Sequence, residues 1–431
     1  YFHNVLCLSE AKGMDIIMRK QIVSLGLAAV MAASLAACSS SSSETTAAAA
    51  ADSQEAAGTE AAEGGDAQAA EGEAADGAVF KIGGIGPITG DAAVYGIAVQ
   101  RGAELAVEEI NAAGGINGYP IEFQFQDDEN DPEKSVSAYN ALKDWGMQLL
   151  NGTVTSNPCV AVADKSMEDN MFQITPSGSA VECAANPNVF RICFSDPDQG
   201  TAAATYIGEH DLATKVAVIY DSSSVYSSGI YENFAQEAQN QGIEIVSAEA
   251  FTADSNKDFS TQLQKAKDNG AELVFLPIYY TEASLILQQA NTMGYAPQFF
   301  GCDGMDGILN VENFDTSLAE GLMLLTPFAA DATDDLTVNF VTSYEEAYGE
   351  TPIQFAADSY DAIYALKAAI EDAGATPDMS VSDLCEAVKA SMLNITLDGL
   401  TGSGMTWTED GEPHKEPKAV MVENGAYTAM E

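Results

Sequence analysis

From Val79 onward, short apolar runs alternate with longer segments in which apolar residues recur every three or four positions. The short runs predict strands buried in a sheet, and the longer segments predict amphipathic helices. Two such series follow one another along the chain. The first predicts strands at 79–85, 121–127, 149–150 and 171–174, with helices at 92–113, 132–145 and 158–170. The second predicts strands at 216–220, 243–251, 273–277 and 299–301, with helices at 227–241, 258–269 and 281–293.

Alternation of strand and helix implies parallel sheets covered by helices, so the two series predict an α/β fold of two doubly wound, Rossmann-like lobes. From Pro327 the pattern is helical first, at 336–348, 355–373 and 381–390, and it returns to strand only at 418–423. Helices without strands of their own must cover an existing sheet, which predicts that the chain crosses back to the first lobe. The expected lobes are 79–197 with 327–403, and 198–326 with 404–431.

The N-terminal residues predict export rather than folded structure. Met18-Arg19-Lys20 forms a positive start, the next dozen residues are apolar or small, and the segment ends in Leu35-Ala36-Ala37-Cys38. This ending resembles the lipobox of bacterial lipoproteins, which implies a signal peptide within 1–37 and lipidation at Cys38. An ordinary signal peptide with an incidental cysteine is the alternative. One interpretation of the residues before Met18 is an over-extended reading frame.

Residues 38–78 predict a disordered tether, because they are rich in Ser, Ala, Gly and acidic residues and lack aromatic residues. The whole chain has 17 basic and 65 acidic residues, a formal charge of −48. This excess of acid argues against nucleic acid and anionic membrane surfaces as partners of the folded part, since both attract basic residues.

Several kinds of chemistry find no support in the sequence. The spacing of Gly84, Gly86 and Gly90 is not that of a dinucleotide site, so no cofactor is expected. No calcium-loop, C-x-x-C or Cys/His pattern indicates a metal. His210 and His414 are the histidines after the predicted signal peptide, and no G-x-S-x-G motif is present, which argues against an enzyme.

Five cysteines remain once Cys7 and Cys38 are set aside: Cys159, Cys183, Cys193, Cys302 and Cys385. Cys183 and Cys193 flank a short loop and could form a disulfide outside the cytoplasm. Spacing alone does not decide the pairing, which stays open at this point.

Candidate binding residues lie where predicted strands end, because ligands of open parallel sheets bind beyond the carboxyl ends of the strands. Ser156 follows the third strand and is expected to lie just ahead of a helix. Ser177 and Ser179 follow the fourth strand. In the second series Tyr226, Tyr279 and Asp303 occupy equivalent loops, and Tyr95 lies near the start of the first helix. Hydroxyls at helix starts suit a carboxylate, and an acid suits an ammonium group. Helix caps, turns and a core aromatic residue are the alternative interpretations.

Several motifs occur together and in order: G-x-x-x-x-T-G-x-x-A-x-Y-G at Gly84–Gly96, the Gly-Gly-Ile-Asn-Gly turn at 114–118, Asp127-Asp128 with Asp131-Pro132, and Ile174-Thr175-Pro176. In these motifs the chain resembles the leucine/isoleucine/valine-binding proteins of ABC importers, a family of type I periplasmic solute-binding proteins. The resemblance runs from about Val79 to Tyr427. It implies two lobes joined by a hinge that close on a small amino acid.

The resemblance also implies roles for the candidate residues. Ser156, Ser177 and Ser179 fall where the family binds the ligand carboxylate, with Ser179 in place of threonine. Asp303 falls where the family binds the ammonium group, although leucine-type proteins have glutamate there. Tyr95, Tyr226 and Tyr279 are implied to line the side-chain pocket or to latch the lobes. The first-lobe disulfide of the family is missing, because Asn130 stands at one of its positions.

The implied function is that of a monomeric, extracytoplasmic lipoprotein on the outer face of the bacterial cell membrane. It would bind leucine, isoleucine or valine and deliver it to ABC permease subunits. No Arg or Lys occurs in the candidate loops, which favours an uncharged ligand side chain. The alternatives are a ligand-sensing surface protein of the same fold and a binder of an amide, urea or an aromatic acid.

Overall fold

The computed structural model describes residues 77–415 and 417–430. The predicted signal peptide, Cys38 and residues 38–76 of the predicted tether lie outside this part. The strands described are β1 (Phe80–Gly86), β2 (Ile121–Asp127), β3 (Leu149–Gly152), β4 (Phe172–Thr175), β5 (Val189–Arg191), β6 (Lys215–Asp221), β7 (Glu244–Phe251), β8 (Leu273–Leu276), β9 (Gln298–Gly301), β10 (Met323–Thr326), β11 (Lys418–Glu423) and β12 (Ala426–Ala429). The helices described are α1 (Ala93–Ala112), α2 (Pro132–Trp145), α3 (Ser156–Asp169), α4 (Asp196–Glu209), α5 (Val225–Asn240), α6 (Ser260–Asp268), α7 (Tyr280–Thr292), α8 (Asp335–Tyr348), α9 (Gln354–Ala373) and α10 (Val381–Met392).

The first sheet has the strand order β2-β1-β3-β4-β5, with every neighbouring pair parallel. Strands β3 and β4 are buried along their whole length, as expected where helices cover both faces. Because the strands are parallel, their carboxyl ends meet at one edge of the sheet. The loops after β1, β3 and β4 therefore lie together, and two of them carry Ser156, Ser177 and Ser179.

The second sheet has the order β12-β11-β10-β9-β8-β6-β7. Every neighbouring pair among β6 to β10 is parallel, whereas β11 and β12 add an antiparallel edge next to β10. The chain therefore returns to the second sheet at Lys418. The loops after β6, β8 and β9 lie at one edge of this sheet and position Tyr226, Tyr279 and Asp303.

The helices between β10 and β11 cover the first sheet. Helix α9 packs along α1, and α10 packs against α9 and β4. The approach of α9 to α1 is close at Gly102, because a Cβ atom there would lie 2.0 Å from the carbonyl oxygen of Ala356. The chain thus leaves the first sheet after β5, builds the second sheet, and comes back to cover the first. None of the helices within residues 77–415 and 417–430 has a stretch long and apolar enough to cross a bilayer.

The prediction of an α/β fold with two parallel sheets is confirmed. Each predicted strand and helix in the described part is present, with ends within two residues of those predicted. Helix α3 starts earlier than expected: Ser156 is its first residue rather than a loop residue ahead of Pro158, because the first helical hydrogen bond runs from Cys159 N to Thr155 O (3.0 Å). Strands β5, β10 and β12 and helix α4 were not predicted.

Candidate functional site

In the described part of the chain, the facing edges of the two sheets meet around a small cavity of about 10 Å³. Loops after β3, β4, β8 and β9 contribute to its wall, together with helices α1, α5 and α9. The lining residues are Tyr95, Val154, Thr155, Ser177, Tyr226, Tyr279, Asp303, Gly304 and Phe355. The cavity therefore brings together five of the seven residues that the sequence predicted for ligand binding.

The remaining two, Ser156 and Ser179, lie beside lining residues rather than among them. Both serines are buried, at 1% exposure each. Ser156 Oγ accepts a hydrogen bond from Ala180 N (3.2 Å), which ties the start of α3 to the loop after β4. Ser177 Oγ donates to Val154 O (2.7 Å) and so links the same two loops. These bonds fix the relative positions of the loops at the carboxyl ends of β3 and β4.

Two hydroxyls on this side of the cavity have no hydrogen-bond partner among residues 77–415 and 417–430. They belong to Thr155, the N-cap residue of α3, and Ser179. A buried hydroxyl without a partner costs free energy, and a ligand oxygen placed beside it recovers that cost. The N-terminus of α3 adds unpaired N–H groups and the positive end of the helix dipole. This side of the cavity is therefore suited to a carboxylate.

The opposite side carries a buried carboxyl group, Asp303. Its Oδ1 accepts hydrogen bonds from Tyr226 Oη (2.7 Å) and Gly304 N (2.7 Å), and its backbone N–H donates to Gln199 Oε1 (3.1 Å). Burial raises the pKa of Asp303 to about 6, and the bonds from Tyr226 and Gly304 oppose that rise. Asp303 therefore ionises near neutral pH and is held in place for a cationic ligand group.

A second buried acid, Asp196, was missed by the sequence analysis. It is the first residue of α4 and is 1% exposed, and neither carboxyl oxygen has a hydrogen-bond partner within the described residues. Burial raises its pKa well above the usual range, which the nearby Ser179 hydroxyl opposes without reaching the geometry of a full hydrogen bond. The Asp303 carboxylate raises the pKa of Asp196 further, as expected for two acids in one buried region.

Aromatic side chains join the two sheets across the cavity. Tyr95 stacks on Phe355, with ring centroids 4.2 Å apart, and meets Tyr279 edge to face at 5.4 Å. Tyr95 Oη donates to the Gly304 carbonyl and accepts from Tyr280 N (3.2 Å). The Tyr279 hydroxyl lies close to the backbone N–H of Ser156. These contacts close the cavity, so a ligand of amino-acid size enters only if the two sheets separate.

The segments that connect the two sheets meet at a buried lysine, Lys415. Its side chain is 1% exposed and lies 3.4 Å from Asp358 Oδ1 on α9. Lys415 Nζ also donates to Ile192 O (2.9 Å) and to Thr401 Oγ1 (2.9 Å). Burial raises the pKa of Asp358 to about 7, which Lys415 opposes. Lys415 therefore ties the segment before β11 to α9 through the ion pair and to the segment after β5 through Ile192 O.

Sequence reasoning missed Val154, Thr155, Gly304 and Phe355 in addition to Asp196. The first three are neighbours of predicted residues on the same strand-end loops, so the signal that found Ser156 and Asp303 could have found them. Phe355 lies in the first turn of α9, far from any strand end in the sequence, and only the packing of α9 on α1 brings it to the cavity. No cluster suited to a metal ion occurs among the residues described.

Residues 79–426 match the model of a protein family described as periplasmic binding protein. Leu/Ile/Val-binding protein homolog 3 of Brucella melitensis is 33% identical over 301 residues, which cover 69% of this chain and 80% of that protein. Leu/Ile/Val-binding protein homolog 1 of Brucella abortus is 30% identical over 351 residues, covering 80% and 90%.

Two solved structures that are similar in fold have sequences more than 25% identical to this chain. The leucine binding protein LivK of Thermotoga maritima has a TM-score of 0.74 and 26% identity, covering 82% of this chain and 98% of its own. The branched-chain amino acid transporter substrate binding protein LivJ of Streptococcus pneumoniae, solved with isoleucine, has a TM-score of 0.74 and 28% identity, covering 81% and 98%. The resemblance drawn from the sequence motifs is thereby confirmed.

Proposed function

Because the chain belongs to the periplasmic binding protein family, we propose that it is the extracytoplasmic substrate-binding component of an ABC importer. We propose leucine, isoleucine or valine as its ligand, bound between the two sheets and released unchanged to the permease. The names of the relatives support this ligand class. The observation that carries the proposal is the cavity, which sets a helix N-terminus and unpartnered hydroxyls of the described part opposite a buried carboxyl group.

In this proposal the ligand carboxylate binds at the start of α3. The hydroxyls of Thr155, Ser156 and Ser179 donate to its oxygens, with help from backbone N–H groups of α3 and of the loop that carries Ser177. Each of these is a hydrogen bond to a charged group, which is stronger than its neutral counterpart. The ligand ammonium group is bound by Asp303, with Asp196 as a second acid close by. Ser179 near Asp196 connects the two halves of the site.

The ligand side chain is expected to be apolar and uncharged. Val154, Tyr95, Tyr279 and Phe355 offer it apolar surface, and no Lys or Arg belongs to the set of described residues that line the cavity. A ligand with a second carboxylate would bury a charge without a counterion, which is costly. The wall therefore favours branched aliphatic side chains over acidic ones.

The proposed lobes are 79–197 with 327–403, and 198–326 with 404–431, which turn about the segments that meet at Lys415. The ligand first binds the hydroxyls at the start of α3, and the second lobe then closes through Tyr226, Tyr279 and Asp303. Hinge closure around a ligand is an established motion of such two-lobed proteins. We also propose that Cys38 carries the lipid that holds this monomeric protein at the outer face of the cell membrane, although residues 1–76 lie outside the described part.

A ligand screen tests this function. Isothermal titration of residues 77–431 with each of the twenty amino acids, urea and benzoate is expected to show tight binding of leucine, isoleucine or valine and weak or no binding of aspartate. Melting temperature should rise with the same ligands, because a ligand that binds only the folded state stabilises it. Binding of urea or benzoate alone would replace the proposed ligand class.

A further inference from the structure

Two cysteines lie beside the proposed carboxylate site. Cys159 is in the first turn of α3, three residues after Ser156, and Cys183 is in the short turn Val181–Ala184 that follows Ser179. Both side chains are fully buried and pack with Ala180 in one small cluster. The two thiols therefore connect the same two segments that Ser156 and Ala180 join by a hydrogen bond.

The two cysteines belong to one buried cluster, in which each thiol affects the other. The Cys183 thiol donates a hydrogen bond to Ser156 O (3.7 Å), and the Cys159 sulfur accepts one from Gln173 Nε2 (3.6 Å). The neighbouring Cys183 thiol lowers the pKa of the Cys159 thiol, whereas burial raises the pKa of Cys183. The thiolate is the reactive form of a cysteine, so either thiol can begin the reaction while the chain is still folding.

We propose that Cys159 and Cys183 form a disulfide bond when the exported protein folds. The proposal rests on the proposed extracytoplasmic location, where disulfides form and persist. The bond would lock the start of α3 to the loop that carries Ser179, and so fix two hydroxyls of the carboxylate site. The family's first-lobe disulfide is absent from this chain, and the pair Cys159–Cys183 joins different positions.

The oxidant is a disulfide, either that of a thiol–disulfide oxidoreductase or oxidised glutathione. The Cys159 thiolate attacks one sulfur of the oxidant, forming a mixed disulfide and releasing the first oxidant thiol. Cys183 then loses its proton, attacks the Cys159 sulfur and releases the second oxidant thiol. Two protein thiols are oxidised by two electrons, and one disulfide of the oxidant is reduced to two thiols. Because both cysteines are buried in the folded chain, the reaction takes place before the site closes.

The other described cysteines offer weaker pairings. Cys193 has Arg191, Asp358 and Asp303 as its charged neighbours. The Cys385 thiol donates to Asn170 Oδ1 (Sγ–Oδ1 3.7 Å). The pairing Cys183–Cys193, which the sequence left open, therefore has less support in the contacts than Cys159–Cys183.

Peptide mapping tests the pairing directly. The full chain is refolded with oxidised glutathione, denatured, alkylated and digested with trypsin. Cleavage after Lys143, Lys165 and Arg191 places the two cysteines on separate peptides, 144–165 and 166–191. The expected product is these two peptides joined, with a mass 2 Da below their sum. A product joining 166–191 to the peptide that starts at Ile192 would indicate Cys183–Cys193 instead, and alkylation of both Cys159 and Cys183 would also overturn the proposal.

A second measurement follows the effect of the bond on stability. Oxidised wild type is expected to melt ~5 °C above protein refolded in reductant, because the bond constrains the unfolded chain. The variant Cys159→Ala/Cys183→Ala should melt at the same temperature in both conditions, whereas the control Cys385→Ala should keep the difference. A difference that persists in the double variant contradicts the proposal. Leucine titration of the oxidised wild type reports separately on the proposed function, so either proposal can fail alone.

Discussion

At the scale of single residues, the proposed binding role of Asp303 comes with a cost in stability to the ligand-free protein. Its carboxyl group is 5% exposed, and burial raises its pKa from 3.8 to about 6. A group whose pKa is raised on folding contributes stability below its unfolded pKa, and that contribution is lost as the pH rises through the folded value. Between pH 4 and pH 6 the ligand-free protein therefore loses up to about 3 kcal/mol from this residue.

The variant Asp303→Asn separates binding from stability. The amide fills the same space and carries no charge, so the ligand-free variant is expected to be about 1–3 kcal/mol more stable than wild type at pH 7. Affinity for leucine should fall by at least 100-fold, because the ammonium group loses its counterion. Urea unfolding and isothermal titration measure the two effects. An unchanged affinity would show that Asp303 does not bind the ligand.

The affinity of wild type should also depend on pH. Only ionised Asp303 attracts the ligand ammonium group, so the dissociation constant is expected to rise by up to tenfold per pH unit below about 6. Above pH 7 it should be constant. The same titration of Asp303→Asn is the control, since buried Asp128 and Asp306 also have pKa values raised to about 6 by burial. A pH dependence that survives the substitution would belong to those other groups.

Ser179 and Ser177 form a matched pair for testing the carboxylate site. Ser179 Oγ lacks a hydrogen-bond partner within residues 77–415 and 417–430, whereas Ser177 Oγ donates to Val154 O. Ser179→Ala is therefore expected to weaken leucine binding about tenfold with little change in melting temperature. Ser177→Ala should destabilise the protein by about 1 kcal/mol, with a smaller effect on affinity. If Ser177→Ala weakened binding more and Ser179→Ala lowered the melting temperature more, the two serines would have the opposite roles.

At the scale of secondary structure elements, the sequence predicted the helices and strands that have clear start signals. It did not predict the elements whose residues are chosen by their tertiary packing. Helix α2 begins where Asp131 and Pro132 predicted, and the Asp131 carboxylate caps Glu133 N and Lys134 N at 2.9 Å. Helix α4 was missed because Gly200 and a run of alanines weaken its apolar pattern. Tertiary contact explains this composition: a Cβ atom at Gly200 would lie 2.4 Å from Ile230 O on α5.

The same distinction holds for the site. Residues at strand ends could be predicted, because the edge of a parallel sheet follows from the order of strands and helices. Phe355 and Asp196 could not, since each lies at a helix start whose position depends on which sheet the helix covers. Strand β12 was missed for a similar reason: its residues Ala426–Ala429 have weak strand patterning and are held by pairing with β11.

Helix α9 is expected to contribute to ligand selectivity through Phe355, whose ring stacks on Tyr95. Phe355→Ala enlarges the cavity, so we expect affinity for valine to fall and the ratio of phenylalanine to valine affinity to rise by at least tenfold. Competition titrations with the two amino acids measure this ratio. The control Phe340→Leu, a buried position on α8 that does not line the cavity, should leave the ratio unchanged. An unchanged ratio in Phe355→Ala would show that α9 does not contribute to ligand selectivity.

At the scale of the whole molecule, Lys415 and Asp358 hold the connecting segments together. Lys415→Met leaves Asp358 as a buried acid without its counterion, and removing one partner of a buried pair costs about 3–5 kcal/mol. The double variant Lys415→Met/Asp358→Asn is expected to recover most of that loss, because no unpaired charge remains. Urea unfolding of the two single variants and the double variant gives the coupling between them. Additive losses would show that the two residues do not act as a pair.

The buried acids of the cavity have a further consequence for the proposed role in an importer, because they affect how often the empty protein closes. In the described part of the chain, the closed arrangement buries Asp196 and Asp303 in one region, and neither carboxyl group is part of an ion pair. Any free energy that this burial costs shifts the empty protein toward the open form, by about a factor of ten for each ~1.4 kcal/mol. If the proposed permease recognises the closed form, it would seldom bind an empty molecule. ATP would then be hydrolysed mainly for molecules that hold a ligand.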